Sequence, residues 1–234
     1  MKKLEGVVKT CEHFTFNLEG GETIEEMTVI VCTGSTPKRA GVKGEDEYFG
    51  KGVSTCATCD GFFYKDKPVT VLGGGDTALE EAFFLSNICS DVYVVHRRDE
   101  FRAAPPTLER VKRKENIHLI TNSVIDEVLG DAMGVTGVNI KNNDGTITHM
   151  ENTGLFVFVG NNVNNSVLKD ENGDFICEMN EWGQVIVDLS MRTSIEGLFS
   201  AGDMRIGAPK QVVSAAGDGA VAALQVISYI QEQQ

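Results

Sequence analysis

Residues 68–87 read PVTVLGGGDTALEEAFFLSN, the clearest strand–turn–helix pattern in the chain. Val69 to Leu72 reads as a buried strand, as in a parallel sheet covered on both faces. Gly73-Gly74-Gly75 is a tight turn. Thr77 to Asn87 follows as a helix, with Leu79, Ala82, Phe83, Phe84 and Leu85 crowding one broad side. Gly73-x-Gly75-x-x-Ala78 is the dinucleotide fingerprint in its Gly/Ala form, set in the strand–turn–helix context it requires. Its glycines let backbone approach a pyrophosphate, and the helix N-terminus supplies N–H donors and a positive dipole end. Gly73, Gly74, Gly75, Asp76 and Thr77 are therefore candidate phosphate-binding residues. The competing reading is a plain glycine turn in a βα unit.

The next strand, Val92 to Val95, decides which dinucleotide. A site for NAD places Asp or Glu about 20 residues beyond the glycines, to accept from the ribose 2′-hydroxyl. Here the strand ends in His96-Arg97-Arg98, and Arg102 follows. Guanidinium groups at that position pair with a 2′-phosphate, often bidentately, so the sequence favours NADPH over NADH. A solvated basic cluster is the alternative.

Working outward, Thr15 to Leu18 turns at Gly20-Gly21 and returns toward Thr28, and Val29 to Cys32 is a second buried strand. Pro37 to Gly52, rich in glycine and charge, reads as a connection between domains. Beyond the glycine loop come a helix from Thr107 to Glu115, a strand from Ile117 to Ile120, and a hairpin. The hairpin pairs Gly134–Lys141 with Thr146–His149 around Asn143-Asp144-Gly145. Strands follow at Leu155–Val159, Gln184–Val187 and Leu198–Ser200, and a helix from Val212 to Ile230 closes the chain. Strands alternating with helices, plus a β-meander, predict an α/β fold of Rossmann type.

Cys56-Ala57-Thr58-Cys59, followed by Asp60, is the one close pair among six cysteines. Two thiols at this spacing can close a redox-active disulfide, and Asp60 can move protons for the thiolates. The rival is half a zinc site. Zinc needs four ligands, and no second Cys or His pair has ligand spacing, so no metal is expected. Cys32 and Cys89 read as small core hydrophobes. Leu198 to Asp203 is a strand ending in Gly202-Asp203, which can aim a carboxylate at a ribityl or ribose hydroxyl. Gly217-x-Gly219-x-x-Ala222 repeats the fingerprint string inside the closing helix with no strand before it. Close packing of that helix is its expected use.

The 234 residues carry a formal net charge of −13. Such a surface repels phosphate backbones and anionic lipid, which argues against a nucleic-acid binder. No apolar run is expected to approach the ~20 residues of a membrane span, so a membrane-embedded chain is not expected. The default address is the cytoplasm.

CATCDGFFYKDKPVTVLGGGDTALEEAFFLS, HRRDEFRA and TSIEGLFSAGD, in that order, resemble bacterial thioredoxin reductase across essentially the whole chain. The resemblance implies two Rossmann-like domains, an NADPH domain inserted in an FAD domain. Residues 1–41 and 160–234 would be the FAD domain, and 42–159 the NADPH domain with its redox-active Cys pair. It implies a homodimer that passes electrons from NADPH through FAD and the disulfide to thioredoxin. Cys59 would face the flavin and Asp60 would donate the proton. Gly160, Gly202, Asp203, Lys210, Gln211 and Val212 would contact FAD. Lys210 stands where the family usually has Arg, and the segment after Gly160 lacks the common proline. The family opens with a strand, a G-x-G-x-x-G loop and a helix for the FAD pyrophosphate, and this sequence starts after that point. The expectation is an N-terminally truncated FAD domain that binds FAD poorly. Two rivals follow: an NADPH-binding module without FAD or turnover, and a related flavoprotein reducing a peroxiredoxin-type partner.

Overall fold

The computed structural model describes residues 4–10 and 13–233. The chain divides into two compact units, Met1–Thr36 with Asn161–Gln234, and Pro37–Gly160 inserted between those segments. In the first unit, β1 (Leu4–Lys9), β2 (Phe14–Leu18) and β3 (Glu22–Glu26) form an antiparallel sheet. The hairpin expected around Gly20-Gly21 is the β2–β3 turn. β4 (Val29–Val31) and the short β5 (Ser35–Pro37) follow.

The inserted unit is built on a five-stranded parallel sheet. Its elements, in chain order, are β6 (Val53–Ser54), α1 (Ala57–Asp60), β7 (Val69–Leu72), α2 (Asp76–Leu85), β8 (Val92–Val95), α3 (Pro105–Lys112) and β9 (Ile117–Ile120). Then come β10 (Ser123–Asp131), β11 (Gly134–Asn142), β12 (Ile147–Glu151) and β13 (Leu155–Val157). The sheet order is β6-β13-β7-β8-β9, and β10-β11-β12 form a separate antiparallel meander. The chain runs β7, β8, β9 in one direction, then returns to place β13 on the other side of β7. That reversal is a topological switch point, where α/β sheets open a crevice beyond the C-terminal ends of their strands.

Packing explains why β7 and β8 are apolar but for Thr70: Val69, Val71, Val92 and Val94 are fully buried, and the Thr70 hydroxyl accepts from Asn152 Nδ2 at 2.8 Å. The face of α2 that packs on them is Ala78, Leu79, Ala82 and Leu85, at helical spacing. Each buried leucine of this kind is worth about 1.5–3 kcal/mol against leaving it in water.

The remaining elements return to the first unit: β14 (Asn161–Val163) beside β5, β15 (Leu198–Ser200) parallel to β4, and α4 (Val212–Glu232). Leu198 and Phe199 are buried on opposite faces of β15, in two separate clusters.

Several expectations need correction. Pro37–Gly52 is not a free connection but part of the inserted unit. Buried Glu45 accepts the N–H groups of Ala40, Gly41 and Val42 at 3.0, 2.8 and 3.2 Å, which folds the glycine-rich run on itself. Gln184–Val187 is no strand; Val185 makes only isolated bridges, to Met179 and Arg205. Cys89 is buried as expected, but Cys32 is exposed, just past the end of β4. Val212–Glu232 is long and apolar enough to cross a membrane by length and composition, contrary to the expectation of no such run. Yet Asp218 sits inside it, paired with Arg205, and a charge at that depth is costly in lipid. Gly217 and Gly219 do not mediate close packing, since a β-carbon on either would meet nothing within 4 Å. Ala222 and Asp218 are what the helix buries.

Candidate functional site

The switch-point crevice is a cavity of about 400 Å³ lined by Leu72, Gly73, Val95, His96, Arg97 and Arg102, among others. Gly73 and Gly74 are required by packing. A β-carbon on Gly73 would lie 2.6 Å from both Ala78 Cβ and the Phe158 carbonyl oxygen, and one on Gly74 would meet the His96 ring. Gly75 differs, because a β-carbon there meets nothing within 4 Å. Open space stands at the first turn of α2, whose leading N–H groups have no partner within the helix.

The arginine-bearing segment after β8 is fastened to this loop. The Arg102 N–H donates to the Gly74 carbonyl at 2.8 Å, and the Ala104 N–H donates to Asp76 Oδ1 at 2.8 Å. His96 is 6% exposed, stacks on Phe101, and pairs its Nε2 with the Glu100 carbonyl at 3.1 Å. Burial chiefly, with repulsion from Arg102, Arg98 and Arg97, lowers the His96 pKa against the opposing Glu100 contact. The imidazole is thus a neutral brace beneath the loop. Arg97 and Arg102 line the cavity. Arg98 is not among its lining residues; its carbonyl accepts the Asn122 N–H.

Lys38 and Arg39 also line this cavity and were missed from sequence, because the segment reads as a linker. Arg39 stacks on Phe49, 3.4 Å from the ring centroid, and its Nε lies 3.6 Å from Asp46. Among the described residues none with a carboxylate lines the cavity, so the charged side chains that line it are all cationic. A dinucleotide phosphate fits that donor set.

Cys56 and Cys59 form a disulfide, Cys59 exposed and Cys56 partly buried. Cys56 caps the short α1, its Sγ accepting the Cys59 N–H at 3.2 Å. Asp60 closes the motif, with its Oδ2 2.6 Å from the buried Ser54 hydroxyl. Phe62 and Phe63 follow at 68% and 76% exposed. They too were missed, since nothing in the sequence tells an exposed Phe from a buried one. Cys89 and Cys177 are buried, and burial pushes both thiols up to about 11. Among the described residues no cluster of His, Cys, Asp and Glu is arranged to hold a metal.

In the other unit, Gly202, Asp203, Gln211 and Val212 line a hollow of about 340 Å³ with Cys32, Gly34, Ala201 and Ala215. Asp218 fixes its floor: it accepts the Gly202 N–H at 3.1 Å and two Arg205 bonds at 2.6 and 2.8 Å. The Arg205 bond holds the Asp218 carboxyl below its ordinary value. Gly202, at φ +75°, turns the chain from β15 toward this pair. These groups fit a ribityl chain, which offers hydroxyls to a carboxylate and to backbone. Lys210, at φ +57°, is not among the lining residues. Gly160 lies in the inserted unit, where its carbonyl accepts the Lys38 N–H at 3.0 Å.

A reversing parallel sheet with a glycine loop, together with a surface disulfide on the same unit, defines a nucleotide-dependent disulfide oxidoreductase. Residues 2–219 match the pyridine nucleotide-disulphide oxidoreductase family. The chain is 56% identical over 235 residues to a thioredoxin reductase of Helicobacter pylori, covering 99% of this chain and 75% of that protein. It is 40% identical to a Pseudomonas fluorescens protein named glucosaminate ammonia-lyase, covering 86% of this chain and 64% of that one. The crystal structure of thioredoxin reductase from Streptococcus pyogenes superposes with a TM-score of 0.90 at 35% identity, covering 99% of this chain and 74% of that one. The chain belongs to the thioredoxin reductase family, a group of α/β oxidoreductases with two Rossmann-like domains.

Proposed function

We propose that the chain carries the NADPH-dependent, FAD-mediated reduction of the thioredoxin disulfide. Residues 42–159 would bind NADPH and carry the Cys pair, and 1–41 with 160–234 would contact FAD. The observation that carries the reading is the Cys56–Cys59 disulfide, exposed at Cys59, with Asp60 beside it on the unit that holds the glycine-loop cavity. When bound, NADPH supplies two electrons and FAD relays them to the disulfide.

The chain's residues have separable parts. Arg97, Arg98 and Arg102 would select the 2′-phosphate, with His96 bracing their segment. Gly73 to Thr77 would seat the pyrophosphate, Asp76 by holding Ala104. Gly202, Asp203, Gln211 and Val212 would seat the ribityl chain, and the resemblance adds Gly160 and Lys210 to the FAD contacts. Once the pair is reduced, one Cys thiolate attacks the partner's disulfide to form a mixed disulfide. The other then attacks that bond and releases reduced thioredoxin, restoring Cys56–Cys59. Asp60 would hand protons to and from the sulfurs. Phe62 and Phe63 offer apolar surface to a protein partner next to the reacting atoms. The resemblance extends the reading to a cytoplasmic homodimer.

The thiol half of the reading is tested without flavin. Reduced with dithiothreitol and desalted, the protein should pass one electron pair per chain to oxidised thioredoxin. Cys56→Ser and Cys59→Ser should abolish it. Transfer to a peroxiredoxin-type protein but not to thioredoxin would reassign the partner, and transfer to neither would overturn the reading.

A further inference from the structure

The proton handling at the Cys pair needs Asp60 held in one place, and the sequence motif alone does not say what holds it. Asp60 ends α1, a single turn, and a short carboxylate side chain there is free to swing toward water. In the structure it does not swing free. The Ser54 hydroxyl, on the last residue of β6, lies 2.6 Å from Asp60 Oδ2. The same oxygen accepts the Cys56 N–H at 3.0 Å. Its second possible acceptor, the Cys56 carbonyl, is 3.3 Å away, and the single hydroxyl hydrogen is best directed at the closer, charged one. The Asp60 N–H donates to that Cys56 carbonyl at 3.2 Å. Ser54 is 5% exposed and sits on a strand paired in parallel with β13, so its oxygen is fixed by the sheet.

We propose that Ser54 is a positioning residue for the disulfide chemistry: it ties the Asp60 carboxylate and the start of the Cys56–Cys59 turn to the central sheet. The inference rests on the reading of Asp60 as the proton-handling group. Its consequence is electrostatic as well as geometric. When a thiolate reagent attacks one sulfur of the pair, a new S–S bond forms and the Cys56–Cys59 bond breaks. The released sulfur takes the electron pair and then a proton; a second reagent thiolate attacks the mixed disulfide and frees the other sulfur, so the reagent leaves as its own disulfide and the pair is reduced. A carboxylate held close by makes each newly formed thiolate less favourable and draws the proton back to sulfur. If the tether is cut, the carboxylate relaxes into solvent and that influence falls.

The test is the pH dependence of iodoacetamide alkylation of the dithiothreitol-reduced full chain, followed at Cys56 and Cys59 by mass spectrometry. Asp60→Asn should move the alkylation midpoint to lower pH and raise the rate near neutrality a few-fold. Ser54→Ala should move it in the same direction by at least half as much, and Ser54→Thr, which keeps the hydroxyl, should retain the parent profile. Ser54→Gly is measured beside Ser54→Ala, so that a folding defect in one deletion does not decide the result. A shift in Asp60→Asn with none in either Ser54 deletion overturns the inference alone. No shift in Asp60→Asn overturns the proton-handling reading and the inference with it. A purely structural role for Ser54 would lower thermal stability without moving the profile.

Discussion

A β-carbon on Gly74 would lie 2.2 Å from Nδ1 of His96, so the glycine loop and the buried imidazole occupy one packed site. The contact runs on through the Arg102 N–H to the Gly74 carbonyl. The glycine loop and the arginine-bearing segment, to which phosphate binding and selection are proposed, are therefore not two independent motifs but one assembly.

That assembly separates the glycines experimentally. Gly74→Ala should cost about 1–3 kcal/mol by overpacking against His96, read as a fall in the thermal midpoint. Gly75→Ala should leave that midpoint nearly unchanged, since its β-carbon meets only open space. It should still weaken NADPH binding at least tenfold in a fluorescence titration. Unchanged NADPH affinity in Gly75→Ala would mean that the open space is not where the nucleotide lies.

Arg97 and Arg102 line the cavity, whereas Arg98 does not. Arg97→Ala and Arg102→Ala should each weaken NADPH roughly 10- to 100-fold, the worth of a charge-assisted hydrogen bond of ~1.5–3 kcal/mol. Arg98→Ala should do less, and NADH affinity should barely move in any of the three. Equal losses for NADPH and NADH would remove the 2′-phosphate assignment.

Asp218 and Arg205 form a pair whose side chains are 10% and 16% exposed. Removing one partner of such a pair strands a charge, so Asp218→Ala should destabilise the fold by about 3–5 kcal/mol, measured by urea unfolding. Because the folded Asp218 pKa lies below its ordinary 3.8, its contribution is complete above that value. It is lost as pH falls through the lower folded value. The parent chain should therefore lose stability on acidification below about pH 4 more steeply than Asp218→Asn.

The thiols should sort by burial and not by sequence. After reduction, Cys56 and Cys59 should alkylate at neutral pH. Cys89 and Cys177, both raised to about 11, should stay unlabelled until the protein is unfolded. Rapid labelling of Cys89 in the native state would show that its cover on α2 opens.

The local pieces are legible in the order of residues alone. Val69–Leu72, the glycine turn and α2 are legible because a strand buried on both faces must be largely apolar. A helix packed on it must repeat at helical spacing, and a loop crowded by Ala78 and His96 must be glycine. Cys56–Cys59 is legible because three residues of separation bring two sulfurs within bonding reach across one turn. The rest depends on contacts between residues distant in the chain, or on which side of a surface a residue falls. Only the fold placed Lys38 and Arg39 in the same cavity as Arg97, and left Cys32 exposed at the end of an apolar strand. Only the fold bound Asp218, in the middle of an apolar helix, to Arg205 and the Gly202 N–H. Composition and periodicity report how much apolar surface a segment must bury. They do not report which polar atom will stand opposite it, because that is fixed by the geometry of the whole packed unit.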